Sequence, residues 1–487
     1  MNNNKINFTK KSISLLRTQY WLFTKQKSNF LLLLVFLAAG FYGLYQGYAF
    51  KQKQAVTITT FNQDKLNKLT ALQKGFDADT TNAKGKEAYE ESASLFAGNW
   101  AIILAASKTP NTTSIFAIGQ ADVFPYYYSI KLESFFMQLF KQSEIANPLR
   151  SLAGHFDTSF WIIFLLPLLL ILLCFNTLSS ELDNGNWKLI TSQGISAKKW
   201  IGNRYLLVGL LVEILLAIIF FTGLFINYFH FNQSPSFADV LFFAGANLYI
   251  LFWLAILYFI NSFGKSTSFN ALCSGMAWTL ICIIVPSITT LLIEKSVPVD
   301  NTSISRMSRR PQGSKFEDDA FGINIIKQFV NSRPQYQGHK LAPQNPAFKL
   351  AIYMVYHELM DDSNAIHVAD YFKAIEQRQQ LTNLSSLLNP AAALDGTFAR
   401  LAENDAFANH QFVWQTKALH ANYHDAFFPA MFFDGQLSKN QYAKFPVFQY
   451  ESSLKGSIKI LLSYLFLLIA GALFFLLGSI NIAKIKQ

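Results

Sequence analysis

Six stretches of this chain are apolar over about 20 residues each, the length a helix needs to cross a hydrocarbon layer of about 30 Å. That feature excludes most folds open to a chain of 487 residues. Lipid offers no partner to backbone N–H and C=O groups, so each stretch must satisfy them internally, as a helix does. The segments are 29–50, 158–178, 205–228, 238–261, 270–293 and 458–480. Trp161 to Cys174 is the clearest run, and the fifth segment is the most diluted, by Ser274, Thr279, Ser287 and Thr289. The expected fold class is a polytopic α-helical membrane protein with six transmembrane helices. The first segment reads as a retained span, since it is too long for a cleavable signal and lacks a small-residue cleavage site. Only 15% of residues are charged, against about 25% in soluble domains.

Orientation follows from lysine and arginine near the span ends. Segments 1–28, 179–204, 262–269 and 481–487 together carry 13 basic and two acidic groups, an excess equal to the whole net charge of +11. The contributors include Lys5, Lys10, Lys11, Arg17, Lys25 and Lys27 before the first span and Lys484 and Lys486 after the last. Placing these segments in the cytoplasm puts both termini inside. The basic excess is then a topology signal and not a nucleic-acid footprint, so no nucleic-acid partner is expected. The domain plan is a cytoplasmic amphipathic segment 1–28, a first span, an extracytoplasmic region 51–157, a second span and a cytoplasmic loop 179–204. Spans three to five occupy 205–293, a second extracytoplasmic region 294–457, and a last span precedes a cytoplasmic tail 481–487.

Both outside regions are expected to be mostly α-helical and, having no cysteine, free of disulfides. Residues 57–96 have Leu66, Leu69, Leu72 and Phe76 at near-helical spacing, with a break at Gly85. Asn111-Thr112-Thr113 reads as a turn, and Tyr126 to Tyr128 as the lead into a helix ending before Pro148. The second region opens with a polar, irregular stretch from Pro298 to Asn345 that includes Arg306, Arg309 and Arg310. Helices follow near 347–360, 363–382, 390–402 and 405–430; Asn389-Pro390 is a good start, because proline suits the first turn. Residues 7–28 read either as an amphipathic helix with Ile13, Leu16, Tyr20 and Phe23 on one face, or as a charged lead-in to the first span.

Polar groups were weighed for chemistry. Glu213 falls near mid-membrane, where a carboxylate costs about 2.5–3.5 kcal/mol unless paired or hydrated; it is expected to face protein or a cavity, as a translocation-path group or a packing hydrogen bond. His420 and His424 lie one helical turn apart, and His357-Glu358 precedes Asp361-Asp362, but His357 does not open an HExxH motif and surface or capping roles are expected. No metal site and no catalytic residue is expected: the chain has no GxSxG elbow and no GxxxxGK[ST] phosphate loop.

The loop Ser179 to Arg204, SSELDNGNWKLITSQGISAKKWIGNR, combines carboxylates, glycine breaks and a short amphipathic segment with Trp187, Leu189 and Ile190. Physically it reads as a solvated basic loop or as a surface helix facing lipid or a partner groove. It resembles the coupling segment of ABC-2 type transporter permeases through Glu181, Asp183, Gly185, Lys188, Leu189, Ser192, Gly194, Ser196, Lys198, Lys199 and Gly202. Asn186 and Trp187 depart from that pattern. Ala117 to Asp122 with Pro125, Asn147-Pro148, Gly154, Phe156-Asp157 and Leu165 to Leu169 extend the likeness to the branch with large extracytoplasmic domains. Asn389-Pro390, Asp405, His410 and Phe412 match more loosely. The resemblance implies a permease in the plasma (inner) membrane that couples ATP hydrolysis by separate ABC ATPase subunits to substrate movement, by preference export. ATP and Mg²⁺ would bind in those partners and no cofactor in this chain, and a second permease, identical or similar, would complete the unit. Glu181, Asp183 and Gly185 would set the geometry of the loop, and Lys188, Lys198 and Lys199 its docking contacts. The alternatives are ATPase-driven mechanical action on the outer face without transport, and a membrane-anchored sensor or enzyme.

Overall fold

A computed structural model of the chain describes residues 16–141, 155–299, 316–452, 454 and 458–484. Lys5, Lys10, Lys11, Ile13, Asn147-Pro148, Gly154, Arg306, Arg309, Arg310 and Lys486 lie outside the described residues. The protein is mostly helical, and six helices are long and apolar enough to cross a membrane. These spans are α1 Lys27–Gly75, α5 Thr158–Asp183, α7 Ala197–His230, α8 Phe237–Asn261, α9 Thr267–Ser296 and α15 Ile458–Ile482. The protein is therefore a multi-pass membrane protein. Between the spans lie α2 Ala83–Ala93, α3 Leu95–Ala101, α4 Phe135–Lys141, α6 Trp187–Ser192, α10 Asp319–Ser332, α11 Phe348–Ser386, α12 Pro390–Leu401, α13 Ala406–Pro429 and α14 Lys439–Tyr442. One antiparallel hairpin pairs β1 Leu104–Ser107 with β2 Tyr127–Ile130, Leu104 opposite Ile130.

The span α1 does not stop at the membrane edge expected near residue 50. Its 49 residues extend about 74 Å at 1.5 Å each, more than twice the hydrocarbon thickness, so its second half stands clear as a stalk. Between residue 50 and Gly75 the run has no glycine and no proline. The expected break at Gly85 lies inside α2, and the chain turns instead over 76–82, where Asn82 Oδ1 accepts the Gly85 N–H at 2.7 Å.

Two of the spans contain a π-turn, Trp161–Leu165 in α5 and Leu280–Ile284 in α9, each just before a proline. A π-turn and a proline both leave carbonyls unpaired, and in lipid those need new donors. Neighbouring side chains supply them. Tyr249 Oη donates to the Ile163 carbonyl at 3.1 Å, Trp278 Nε1 to Phe164 at 3.0 Å, and Asn389 Nδ2 to Ile281 at 2.8 Å. The span α5 is the most enclosed, and α9 the least, with 6% of its apolar window buried.

The two polar regions share one core. Leu104, Tyr128, Ile130 and Phe136 of the first pack with Phe329, Phe348, Phe427 and Phe432 of the second. Both regions also reach into the bundle: Ile115 to Ala117 and Ala391, Leu394 and Phe398 of α12 belong to the core of the spans. Phe398 lies 4.0 Å from Phe242 of α8, ring centre to ring centre. The Asn389-Pro390 start holds, with Asn389 Oδ1 accepting the Ala391 N–H at 2.9 Å.

Several expectations are corrected. Tyr127 and Tyr128 form a strand, because the alternating side chains face a half-buried sheet surface. Residues 319–332, expected to be irregular, form α10, capped by Asp318 and burying Ile325, Ile326 and Phe329 at helical spacing. No break separates 347–360 from 363–382; α11 runs through both, since Ser363-Asn364 carries neither glycine nor proline. On the N-terminal segment, residues 16–25 are helical, with Phe23 buried but Tyr20 exposed, so Tyr20 is not on the packed face. His357, His420 and His424 are buried and are not surface or capping groups.

Candidate functional site

The loop 179–204 folds as helix, glycine turn, helix, glycine turn. After Asp183 the chain turns through Gly185 at φ +74°, runs along α6, and turns again through Gly194 at φ +75°. A side chain at either glycine would meet nothing within 4 Å, so the left-handed backbone and not space selects glycine at both. Ser196 then caps α7, its Oγ accepting the Lys199 N–H at 3.4 Å.

Two attachments hold this elbow to the bundle. Trp187 is buried in the core of the spans, and Trp200 Nε1 donates to the Thr177 carbonyl at 3.0 Å. Asp183 Oδ2 accepts from Thr267 N at 3.0 Å and Thr267 Oγ1 at 2.7 Å, which staples the end of α5 to the first turn of α9. Deeper in, Asn261 of α8 donates to the Cys174 carbonyl at 3.2 Å and to Tyr205 Oη at 2.9 Å. These bonds link the elbow to α5, α7 and α9, and α8 joins α5 and α7 just below it.

Of the residues singled out in the sequence, Gly185, Lys188, Leu189, Ser192, Gly194, Lys198 and Lys199 are exposed on this elbow. Glu181 is half-buried and accepts from Asn186 Nδ2 at 3.3 Å, while Ser196 is a cap. Trp187 does not share the face of Leu189: it is buried in the core of the spans, while Leu189 is exposed. Thr267 was not singled out, although Ser266-Thr267 ahead of an apolar run is an N-terminal capping signal; its partner lies 84 residues away.

Glu213 lines a groove of about 690 Å³ along α7, α8 and α15, bordered by Gly209, Asn247, Tyr258 and Gly471, and it hydrogen-bonds Asn247. At the end of the bundle away from the elbow, a cavity of about 1120 Å³ lies between the α1 stalk, the hairpin and α11, with Lys53, Tyr126, Lys131, His155 and Tyr353 in its wall. His155 Nε2 is 2.8 Å from Asp122 Oδ2 there. Glu358, His420 and His424 are the residues grouped closely enough to hold a metal ion among those described.

Residues 303–451 match the family model of a domain of unknown function, DUF3526. The match takes in α10 to α14, the second polar region with its buried histidines. The chain matches no curated protein and no solved structure.

Proposed function

We propose that this chain is the membrane-spanning permease subunit of an ABC-2 type transporter in the plasma (inner) membrane, with both termini in the cytoplasm. Two separate ATPase subunits, which bind ATP and Mg²⁺, dock on the elbow formed by 179–204, and a second permease completes the unit. The observation that carries this reading is the elbow itself: a short helix between two left-handed glycines, with Lys188 on it and Lys198 and Lys199 just beyond it exposed, and tied through Asp183 to Thr267 of another span. A partner that closes on Lys188, Lys198 and Lys199 moves α5 and α9 together, so the elbow is a two-state element that an ATPase cycle can bias. The carboxylate in the groove of α7, α8 and α15 is a polar point on a path between spans.

Purification of the chain from its native membrane in mild detergent is expected to recover a soluble ATPase. Glu181→Ala with Asp183→Ala removes the staple and the Asn186 contact, and is expected to lower ATPase capture about tenfold with normal insertion. Full capture by the double variant, or no ATPase after cross-linking, would remove the basis for the reading.

A second reading has its own support. The helix α12 belongs to the second polar region yet packs inside the bundle through Leu394 and Phe398, so span motion reaches the outer domain directly. ATPase turnover would then work that domain mechanically. Reconstituted vesicles separate the two: substrate flux coupled to ATPase activity favours transport, and coupled ATPase activity without flux favours mechanical action.

A further inference from the structure

The buried polar cluster of the second region is unexplained by either reading. The helix α13 contributes His420 and His424, one turn apart, and α11 contributes Glu358. One donor atom from each lies within 4.8 Å of the others. Ligands held about 2.1 Å from a tetrahedral ion are about 3.4 Å apart, so the three need close on an ion only slightly. Both imidazoles are 5% exposed, and their ring centres are 4.2 Å apart.

The hydrogen bonds around the cluster decide which ring nitrogens are left to bind an ion. His420 Nε2 is 2.8 Å from the Glu133 carbonyl. A carbonyl only accepts, so Nε2 carries the proton and Nδ1 keeps its lone pair. That is the outer bond that metal-binding imidazoles make, to a carbonyl or carboxylate, through the nitrogen not used for the metal. His424 places Nδ1 against Glu358 Oε1. A histidine–glutamate hydrogen bond would account for Nδ1 alone; Nε2 of this 5%-exposed ring has no hydrogen-bond partner among the described residues. An unpartnered buried nitrogen is costly unless something fills its lone pair.

Glu358 is aimed as well. Its second oxygen is 3.1 Å from an Arg333 guanidinium nitrogen that also meets Asp362 at 3.0 Å. Two imidazoles and one carboxylate form an N₂O donor set, which suits zinc and its first-row neighbours and not calcium or magnesium, which prefer oxygen.

We propose that Glu358, His420 and His424 form a binding site for a divalent transition-metal ion of the zinc class. The ion clasps α11 to α13, and through His420 and the Glu133 carbonyl it also holds the segment leading into α4. The first and second polar regions are thereby fastened at one point. This inference does not depend on the transporter reading.

The full chain, purified in detergent, stripped with a chelator and desalted, is titrated with zinc, and bound metal per chain is measured by mass spectrometry. One zinc per chain is expected, with Co²⁺ giving the intense visible absorption of a low-coordinate site and zinc bleaching it. His420→Ala and Glu358→Gln should each weaken zinc binding by more than the roughly 100-fold upper range of outer-shell changes. The exposed His367 serves as the control, and His367→Ala should leave zinc binding unchanged. Absence of zinc from the wild-type chain at micromolar free metal overturns the proposal whatever the variants do. So does retention of wild-type affinity in both His420→Ala and Glu358→Gln at unchanged helicity.

Discussion

Gly47→Ala is expected to prevent the chain from reaching its native packing. A methyl at this position would lie 1.9 Å from the Ile115 carbonyl oxygen, far inside contact distance, and the obstacle is backbone rather than a mobile side chain. Gly47 belongs to a stripe on α1 with Gly43 and Gly40. A methyl at Gly43 would be 2.8 Å from the Asp157 backbone, and one at Gly40 would meet the Trp161 ring at 3.0 Å. The stripe lets residues 113–118 and the start of α5 press against the span, so that Ile115, Phe116 and Ala117 are essentially without exposure. Overpacking of this kind costs about 3 kcal/mol, a large part of a typical native stability. The measurement is the midpoint of thermal unfolding and the monodisperse yield in detergent. Gly202→Ala, with nothing within 4 Å, is the matched control. Wild-type behaviour of Gly47→Ala would mean that the 113–118 segment does not insert against α1.

Lys51→Ala is expected to have an effect of similar size by the opposite route, through loss rather than excess. Lys51 is 1% exposed, and its ammonium donates to the Asn111 carbonyl at 2.8 Å, Asn227 Oδ1 at 2.7 Å and Gln233 Oε1 at 2.6 Å. Three protons meet three acceptors from three parts of the chain: the loop before 113, the end of α7, and the turn before α8. Truncation leaves the buried Asn227 acceptor and the half-buried Asn111 and Gln233 acceptors without this partner, which costs about 3 kcal/mol. Arginine should not rescue, because a planar fork cannot reproduce three diverging bonds. Thermal unfolding of Lys51→Ala and Lys51→Arg against Lys53→Ala, an exposed neighbour two positions on, tests this. Equal midpoints for all three would show that the clasp contributes nothing.

Both predictions concern places where local reading had little to say. Gly40, Gly43 and Gly47 read as small residues within an apolar run, and nothing nearby in the chain tells which backbone will approach them. Lys51 reads as the first polar residue past a span, a position where a solvated lysine is ordinary. Glu213 stood out more, because a carboxylate at mid-membrane has few affordable environments, and the fold places it in the groove of α7, α8 and α15. His420 and His424 carried the spacing of a metal pair, but their burial and the arrival of Glu358 from α11 depend on how two helices cross. The elbow was half legible: Gly185 and Gly194 punctuate it in the sequence, whereas the turning of Trp187 into the bundle does not follow from α6 alone.

What the sequence determines by itself here is whatever rests on the bilayer or on a few consecutive residues. Apolar runs of span length, the basic ends, the glycine turns at 185 and 194 and the Asn389-Pro390 helix start belong to that class, since each is decided by the solvent or within one helical turn. Tertiary structure alone decided that the two polar regions share a core and that α12 enters the bundle. It also decided that Asp183 holds Thr267, 84 residues away, and that Lys51 reaches Gln233, 182 residues away. These are contacts between groups whose local sequences are indifferent to one another. Their free energy exists only once the chain has brought them together, because a buried polar group finds its partner by position in the fold and not by position in the sequence.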